Sequence, residues 1–151
     1  MNFKRHLIAG MLLYAPALNY VYPYYLKHLQ KLPTDVRDRI EGGDHYLNQR
    51  HTFGNAILKR DFAEDSRQHE IDLENPIPIR CPVRIMHGLR DEEIHYEQSM
   101  TLVHALMSND VDIIYRKNGP HQLDKPLDIE IFLNTLDRML KDHPVDHPIR
   151  A

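Results

Sequence analysis

A single cysteine, Cys81, stands among the 151 residues, so no internal disulfide can brace this chain and its fold owes nothing to an oxidising compartment. Cys81 lies between Arg80 and Pro82 at the head of an apolar run, which reads as a buried strand-entry cysteine rather than a nucleophile. Charge of one sign is also missing. The 19 Lys and Arg face 22 Asp and Glu for a net charge of -3, and no basic stripe is interleaved with aromatics, which speaks against a nucleic-acid partner. No run approaches the ~20 apolar residues of a membrane span. The 11 histidines include no His-Glu-x-x-His motif and no Cys/His pair at ligand spacing. His143 and His147 are four apart, but Pro144 between them argues against a helical metal face.

What is present is ordinary for a globular protein: 42% apolar and 27% charged residues, enough for one modest domain. Lys4 and Arg5 precede an apolar run, Leu7 to Leu13, and Ala15-x-Ala17 resembles a cleavage site, so the start imitates a signal peptide. A strand buried on both faces explains the same continuous run equally well. Tyr14 to Glu74 is polar, punctuated by Pro16, Pro23, Pro33 and Gly42-Gly43, and reads as short helices. One begins near Pro33-Thr34-Asp35, with Thr34 or Asp35 as cap. Another covers Gly54 to Gln68, with Ile57, Leu58 and Phe62 on one side.

Pro76, Pro78 and Pro82 make residues 75–82 an extended connector. The rest then alternates. Pro82 to Gly88 is a strand. Tyr96 to Met107 is a helix with Tyr96, Met100, Val103 and Met107 at helical spacing beside Leu102 and Leu106. Val111 to Arg116 is the next strand, broken by Asn118-Gly119-Pro120. Pro126 to Leu140 is a final helix whose Pro126 suits the first turn and whose Asp128 and Glu130 oppose the helix dipole favourably. Its buried stripe is expected to be Ile131, Phe132, Leu136, Met139 and Leu140, and the tail after Lys141 to fray. Strand, helix, strand, helix implies an α/β layout with parallel strands.

In open α/β sheets the reactive groups sit on loops at the carboxyl ends of strands. Two such loops occur, His87 to Ile94 and Lys117 to Leu123, and they bring Asp91 and His121, thirty positions apart, to one sheet edge. A serine hydroxyl needs an imidazole to take its proton, and the imidazole needs a carboxylate on its other nitrogen. Asp91 before His121 obeys the order acid then histidine. From the residues alone, Asp91 reads equally well as a cap for the helix starting near Tyr96 or as the end of the turn at Gly88. His87 reads as strand-end packing, and Glu92-Glu93 as a solvated helix start.

The segment Asn75 to Asp91, continued by Ser108 to Asp112 and the His121 loop, resembles the last third of an α/β-hydrolase. It is most similar to the subgroup of mitochondrial palmitoyl-protein thioesterases, also called mycophenolic acid acyl-glucuronide esterases, and their bacterial relatives. The resemblance implies a C-terminal part of that fold: an inner strand at 7–13, a helical lid at 20–74 and the last two parallel strands with their helices at 75–141. A tail follows at 142–151. It makes Asp91 the triad acid and His121 the triad base. It also implies hydrolysis of a carboxylic ester or acyl thioester through an acyl-enzyme, without a cofactor, on an acylated small molecule or acylated protein. A bacterial cytoplasm or a mitochondrion would be the compartment, and Lys4 and Arg5 fall inside the domain.

The chain departs from the family in three places. It contains no Gly-x-Ser-x-Gly elbow, since Ser66, Ser99 and Ser108 all lack that setting, and the oxyanion-hole loop is missing. His95-Tyr96 stands where relatives often have Pro-Trp, and Pro120 precedes the histidine where a polar residue is common. The elbow's absence leaves as alternative an inactive fragment or an interaction module needing a partner chain. It also leaves the strand at 7–13 without its inner neighbour, an edge expected to invite self-association. Tyr14, Tyr20, Tyr22, Tyr24 and Tyr25 suit either an acyl pocket or lid packing.

Overall fold

The computed structural model describes residues 8–51 and 54–144. In chain order its elements are β1 (Met11–Tyr14), α1 (Val21–Leu29), α2 (Thr34–Glu41), β2 (His45–His51), β3 (Gly54–Lys59) and α3 (Arg60–Ser66). A 3-10 turn (Arg67–His69) follows, then β4 (Val83–Gly88), α4 (Glu97–Ala105), β5 (Val111–Arg116) and α5 (Pro126–Asp142). The chain forms two compact units, one being Leu18–Ile71 and the other the described residues before and after it in sequence.

The second of these holds a parallel sheet in the order β1-β4-β5. Its middle strand is the apolar run Pro82 to Gly88 of the sequence. Val83, Ile85, Met86 and His87 are all buried, as a strand covered on both faces requires. Cys81, expected to be buried at its entry, is half-buried. β1 differs from its expectation. It spans Met11–Tyr14, and all four residues are half-buried because it pairs on one edge only, with β4, among the described residues. Ile8 precedes it and is exposed, while Leu7 lies outside the described residues.

α4 turns a face toward the core that is rotated from the expected one. Ser99, Leu102 and Ala105 are buried, with Leu106 just beyond, and Met100 and Met107 are exposed. On this face the Ser99 hydroxyl is bonded to His87 of β4 at 2.7 Å, a polar contact that apolar spacing does not register. α5 starts at Pro126, where the missing N–H is no loss. Met139 is buried and Ile131, Phe132 and Leu136 are half-buried, but Leu140, expected in the stripe, is exposed. Asp128 does more than complement the dipole. It is buried and takes Arg116 Nε at 2.6 Å, so the first turn of α5 is bonded to the last residue of β5. The tail beyond Pro144, with His147 and Pro148, lies outside the described residues.

Leu18–Ile71 is not wholly helical. The expected helix from Gly54 to Gln68 is a strand in its first six residues, paired antiparallel with β2, and becomes helix only at Arg60. Leu58 is buried while its neighbour Ile57 is 60% exposed, the alternation of a pleated strand and not a helical stripe. Neither Thr34 nor Asp35 caps α2. Pro33 occupies the cap position, and the Thr34 hydroxyl accepts from Arg37 instead. The core is Tyr25, Leu29, Ile40, Leu58 and Ala63, with Tyr22, Tyr24 and Tyr46 packed against it. Asn19, at positive φ, closes the unit by pairing its side-chain amide with both backbone groups of Ile71 at 2.8 and 2.7 Å.

Candidate active site

β4 and β5 run side by side in parallel and end together at Gly88 and Arg116. Their two following loops are laced by backbone bonds: Leu89 N–H to Arg116 O at 2.9 Å and Arg90 N–H to Gly119 O at 3.0 Å. This approach is possible because both loops carry glycine at the crossing. A Cβ on Gly88 would lie 2.2 Å from the Gly119 carbonyl oxygen and 2.6 Å from that of Pro120, and one on Gly119 would lie 3.1 Å from the Gly88 Cα. The backbones therefore touch where only hydrogen fits.

The consequence is that Asp91 and His121 meet. His121 Nδ1 lies 2.8 Å from Asp91 Oδ2. The carboxylate is fully buried and the imidazole is 19% exposed, so the acid sits inside and the ring faces outward. Asp91 divides its two oxygens between two tasks. Oδ1 accepts the backbone N–H groups of Glu93 and Ile94 at 2.9 and 2.8 Å, which fixes the turn after β4. Oδ2 faces the histidines. The capping and triad-acid readings of Asp91 therefore do not exclude each other, although what it caps is this turn and not α4. Pro120 leaves His121 within reach. His95 and Tyr96 stack on each other at 4.9 Å.

Burial would raise the Asp91 carboxyl, but the Ile94 N–H, the His121 hydrogen bond and the Glu93 N–H outweigh it and hold it below the ordinary carboxylate range. A carboxyl lowered by folding contributes stability that is present above its unfolded value of ~3.9 and lost as pH falls through the folded one. Stability is therefore expected to fall with acid below about pH 4, and Asp91→Asn to flatten that part of a denaturant-midpoint against pH curve. A curve of unchanged slope would contradict the assignment.

Two further residues belong to this network and were not read from the sequence in that role. His87, expected to pack at the strand end, is fully buried and bonded through both ring nitrogens. Nε2 lies 3.1 Å from Asp91 Oδ2 and 3.1 Å from the Ile94 carbonyl, and Nδ1 lies 2.7 Å from Ser99 Oγ. A histidine on a strand buried on both faces must find such partners, which was the available signal. Ser99, His87 and Asp91 form a second serine–histidine–carboxylate line, but the Ser99 hydroxyl is wholly buried on α4, where no substrate reaches it.

The tyrosines separate. Tyr14 ends β1, donates to the Leu123 carbonyl and meets Phe132 edge-on. Leu123 is held at positive φ in the His121 loop. With Gln122, Asp124 and Ile129 these residues line a cavity of about 350 Å³ whose wall does not include His121. Tyr20, Tyr24 and Tyr25 line a groove of about 180 Å³ in the other unit with Ile57 and Phe62, and Tyr22 stacks under Arg67. Among the described residues no cluster of His, Cys, Asp and Glu could hold a metal, and no helix is long and apolar enough to cross a membrane.

The parallel sheet with its intervening helices has the α/β-hydrolase layout, and by its relatives the chain belongs to that superfamily. Among its relatives is the mitochondrial palmitoyl-protein thioesterase of Mus musculus, 32% identical over 111 residues that cover 72% of this chain and 37% of the mouse protein. The Homo sapiens thioesterase of the same name is 34% identical over 79 residues, 52% of this chain and 26% of that protein. The chain thus spans little more than a third, at most, of the length of these relatives. The solved structure of mouse alpha/beta hydrolase domain-containing protein 10 superposes with a TM-score of 0.73 at 27% identity, covering 91% of this chain and 54% of the mouse one. A structure from Agrobacterium vitis gives the same score at 25% identity, covering 88% and 50%. No family model matches the chain.

Proposed function

We propose that Asp91 and His121 are the acid and base of a serine hydrolase acting on carboxylic esters or acyl thioesters, with the nucleophilic serine supplied by polypeptide outside these 151 residues. The observation that carries the reading is the 2.8 Å contact of His121 Nδ1 with a buried carboxylate. That contact assigns the Nδ1 proton to the side of Asp91, so Nε2 is the nitrogen that would take a proton from a serine hydroxyl. The serine oxygen would attack the acyl carbonyl as its proton passes to His121. Collapse of the tetrahedral intermediate would expel the alcohol or thiol, which leaves with that proton. Water, deprotonated by the same histidine, would then release the carboxylic acid. Asp91 would hold the ring in the required tautomer and stabilise the imidazolium.

The relatives named above support an acyl thioester on a protein as the substrate class, an acylated small molecule being the other, and a mitochondrion as the compartment. A second reading, a non-catalytic module completed by a partner chain, is favoured by one observation: none of the three serines stands in a Gly-x-Ser-x-Gly elbow.

The test is to assay p-nitrophenyl esters and an acyl thioester with the chain alone and with the N-terminal half of the mouse relative co-expressed. Negligible turnover is expected alone, because nucleophile and oxyanion hole are both missing. Turnover is expected from the pair and should vanish with His121→Ala. Hydrolysis by the pair that survives His121→Ala, or none from a pair shown to associate, would favour the second reading.

A further inference from the structure

We infer that His87 is a positioning residue for Asp91, held by Ser99 in its Nε2–H tautomer so that it donates to the same carboxylate oxygen that receives His121. The inference rests on the proposal that Asp91 is the triad acid, and it assigns a task to a group that the hydrolytic steps do not use.

The tautomer follows from the partners. Nε2 faces two atoms, Asp91 Oδ2 and the Ile94 carbonyl oxygen, both at 3.1 Å. A backbone carbonyl can only accept, so the proton is on Nε2. Nδ1 then accepts, and its partner among the described residues, Ser99 Oγ at 2.7 Å, carries a hydroxyl that can donate. Every member of this line is buried: Ser99 and His87 are 0% exposed and the Asp91 side chain likewise. A misplaced proton in such a place leaves two acceptors or two donors facing each other, a costly arrangement. The line therefore runs one way, from the Ser99 hydroxyl through His87 to Asp91.

What this does for Asp91 is geometric. The Glu93 and Ile94 N–H groups anchor Oδ1 and leave the carboxylate one remaining way to err, a tilt of Oδ2 away from His121. A rigid imidazole on a central strand, donating to Oδ2 from inside the fold, blocks that tilt. His121 donates to the same oxygen from the outer side. Four donors thereby aim the carboxylate, two on each oxygen, the His87 N–H being shared with the Ile94 carbonyl.

The test is NMR of the chain as it stands, reading imidazole nitrogen tautomers and the titration of the Asp91 carboxyl carbon. At neutral pH His87 is expected as the Nε2–H tautomer and His121 as the Nδ1–H tautomer. His87→Leu, which keeps bulk but not the donor, should make Asp91 titrate higher and let His121 exchange between tautomers. His87→Gln carries an amide N–H to nearly the position of the ring Nε2, and should restore both readings. A purely structural role would lower the melting temperature of both variants alike and leave the Asp91 titration where it was, which would overturn the assignment. So would a wild-type His87 found as the Nδ1–H tautomer, a measurement that needs no variant to fold. Neither reading uses substrate or nucleophile, so failure of the hydrolase proposal and failure of this one are told apart.

Discussion

Gly88→Ala is expected to destabilise the protein by about 3 kcal/mol, the upper end of what overpacking costs, and to separate Asp91 from His121. The added methyl would sit 2.2 Å from the Gly119 carbonyl oxygen and 2.6 Å from its carbonyl carbon. These are backbone atoms, and they are tied into the Arg90–Gly119 bond, so no side chain can swing aside. One of the two loops must move, and each carries one member of the Asp91–His121 pair. Thermal or urea unfolding would read the first effect and the loss of the His121 Nδ1–H signal the second. An alanine variant that melts with the wild type and keeps that signal would show that the loops are not locked at this crossing. Gly43, at positive φ but with nothing near its missing Cβ, serves as the control for strain without a clash.

In the completed enzyme, Asp91→Asn is expected to lower kcat by on the order of 10⁴, the scale known for loss of the triad carboxylate in a serine protease. The direction of the amide decides this. The position of Oδ1 is surrounded by two backbone N–H donors, so an asparagine must put its oxygen there. Its NH₂ then falls at the position of Oδ2, against His121 Nδ1 and His87 Nε2. His121 is forced to accept on Nδ1 and to carry its proton on Nε2, where a base for the serine is needed. The loss should fall on kcat, and nitrogen NMR should report the switched tautomer of His121. A variant within tenfold of wild type would remove Asp91 from the mechanism.

That Asp91 and His121 come to one sheet edge was legible because each sits on a loop directly after a short apolar strand and the two strands are consecutive; the roles proposed for them come from the family resemblance. Pro82 to Gly88 and Val111 to Arg116 stand out by their β-branched content and by the glycines and prolines that bound them. What was hidden depends on contacts between segments. The glycines of the two loops look like ordinary strand stops until their backbones are seen to cross. His87 looks like a polar residue at the end of a run, and only the rotation of α4 reveals that Ser99 waits beneath it. The hairpin of β2 and β3 was hidden for another reason. Ile57, Leu58 and Phe62 satisfy a helical face on paper, and pairing with residues 45–48 overrides it. Leu140 was misplaced because spacing marks a stripe on α5 without saying how much of its width the sheet covers.

Asp91 and His121 hang from neighbouring strands of one continuous stretch, β4 through α4 to β5 and the loop beyond. In the language of hydrogen exchange, that stretch is expected to behave as a single opening unit. The amides of Leu89, Arg90 and Ile94, each spent on a bond that also sets the site, should exchange at one common free energy with the β4–β5 ladder. Exchange of these three amides well ahead of the ladder would show that the loops open on their own.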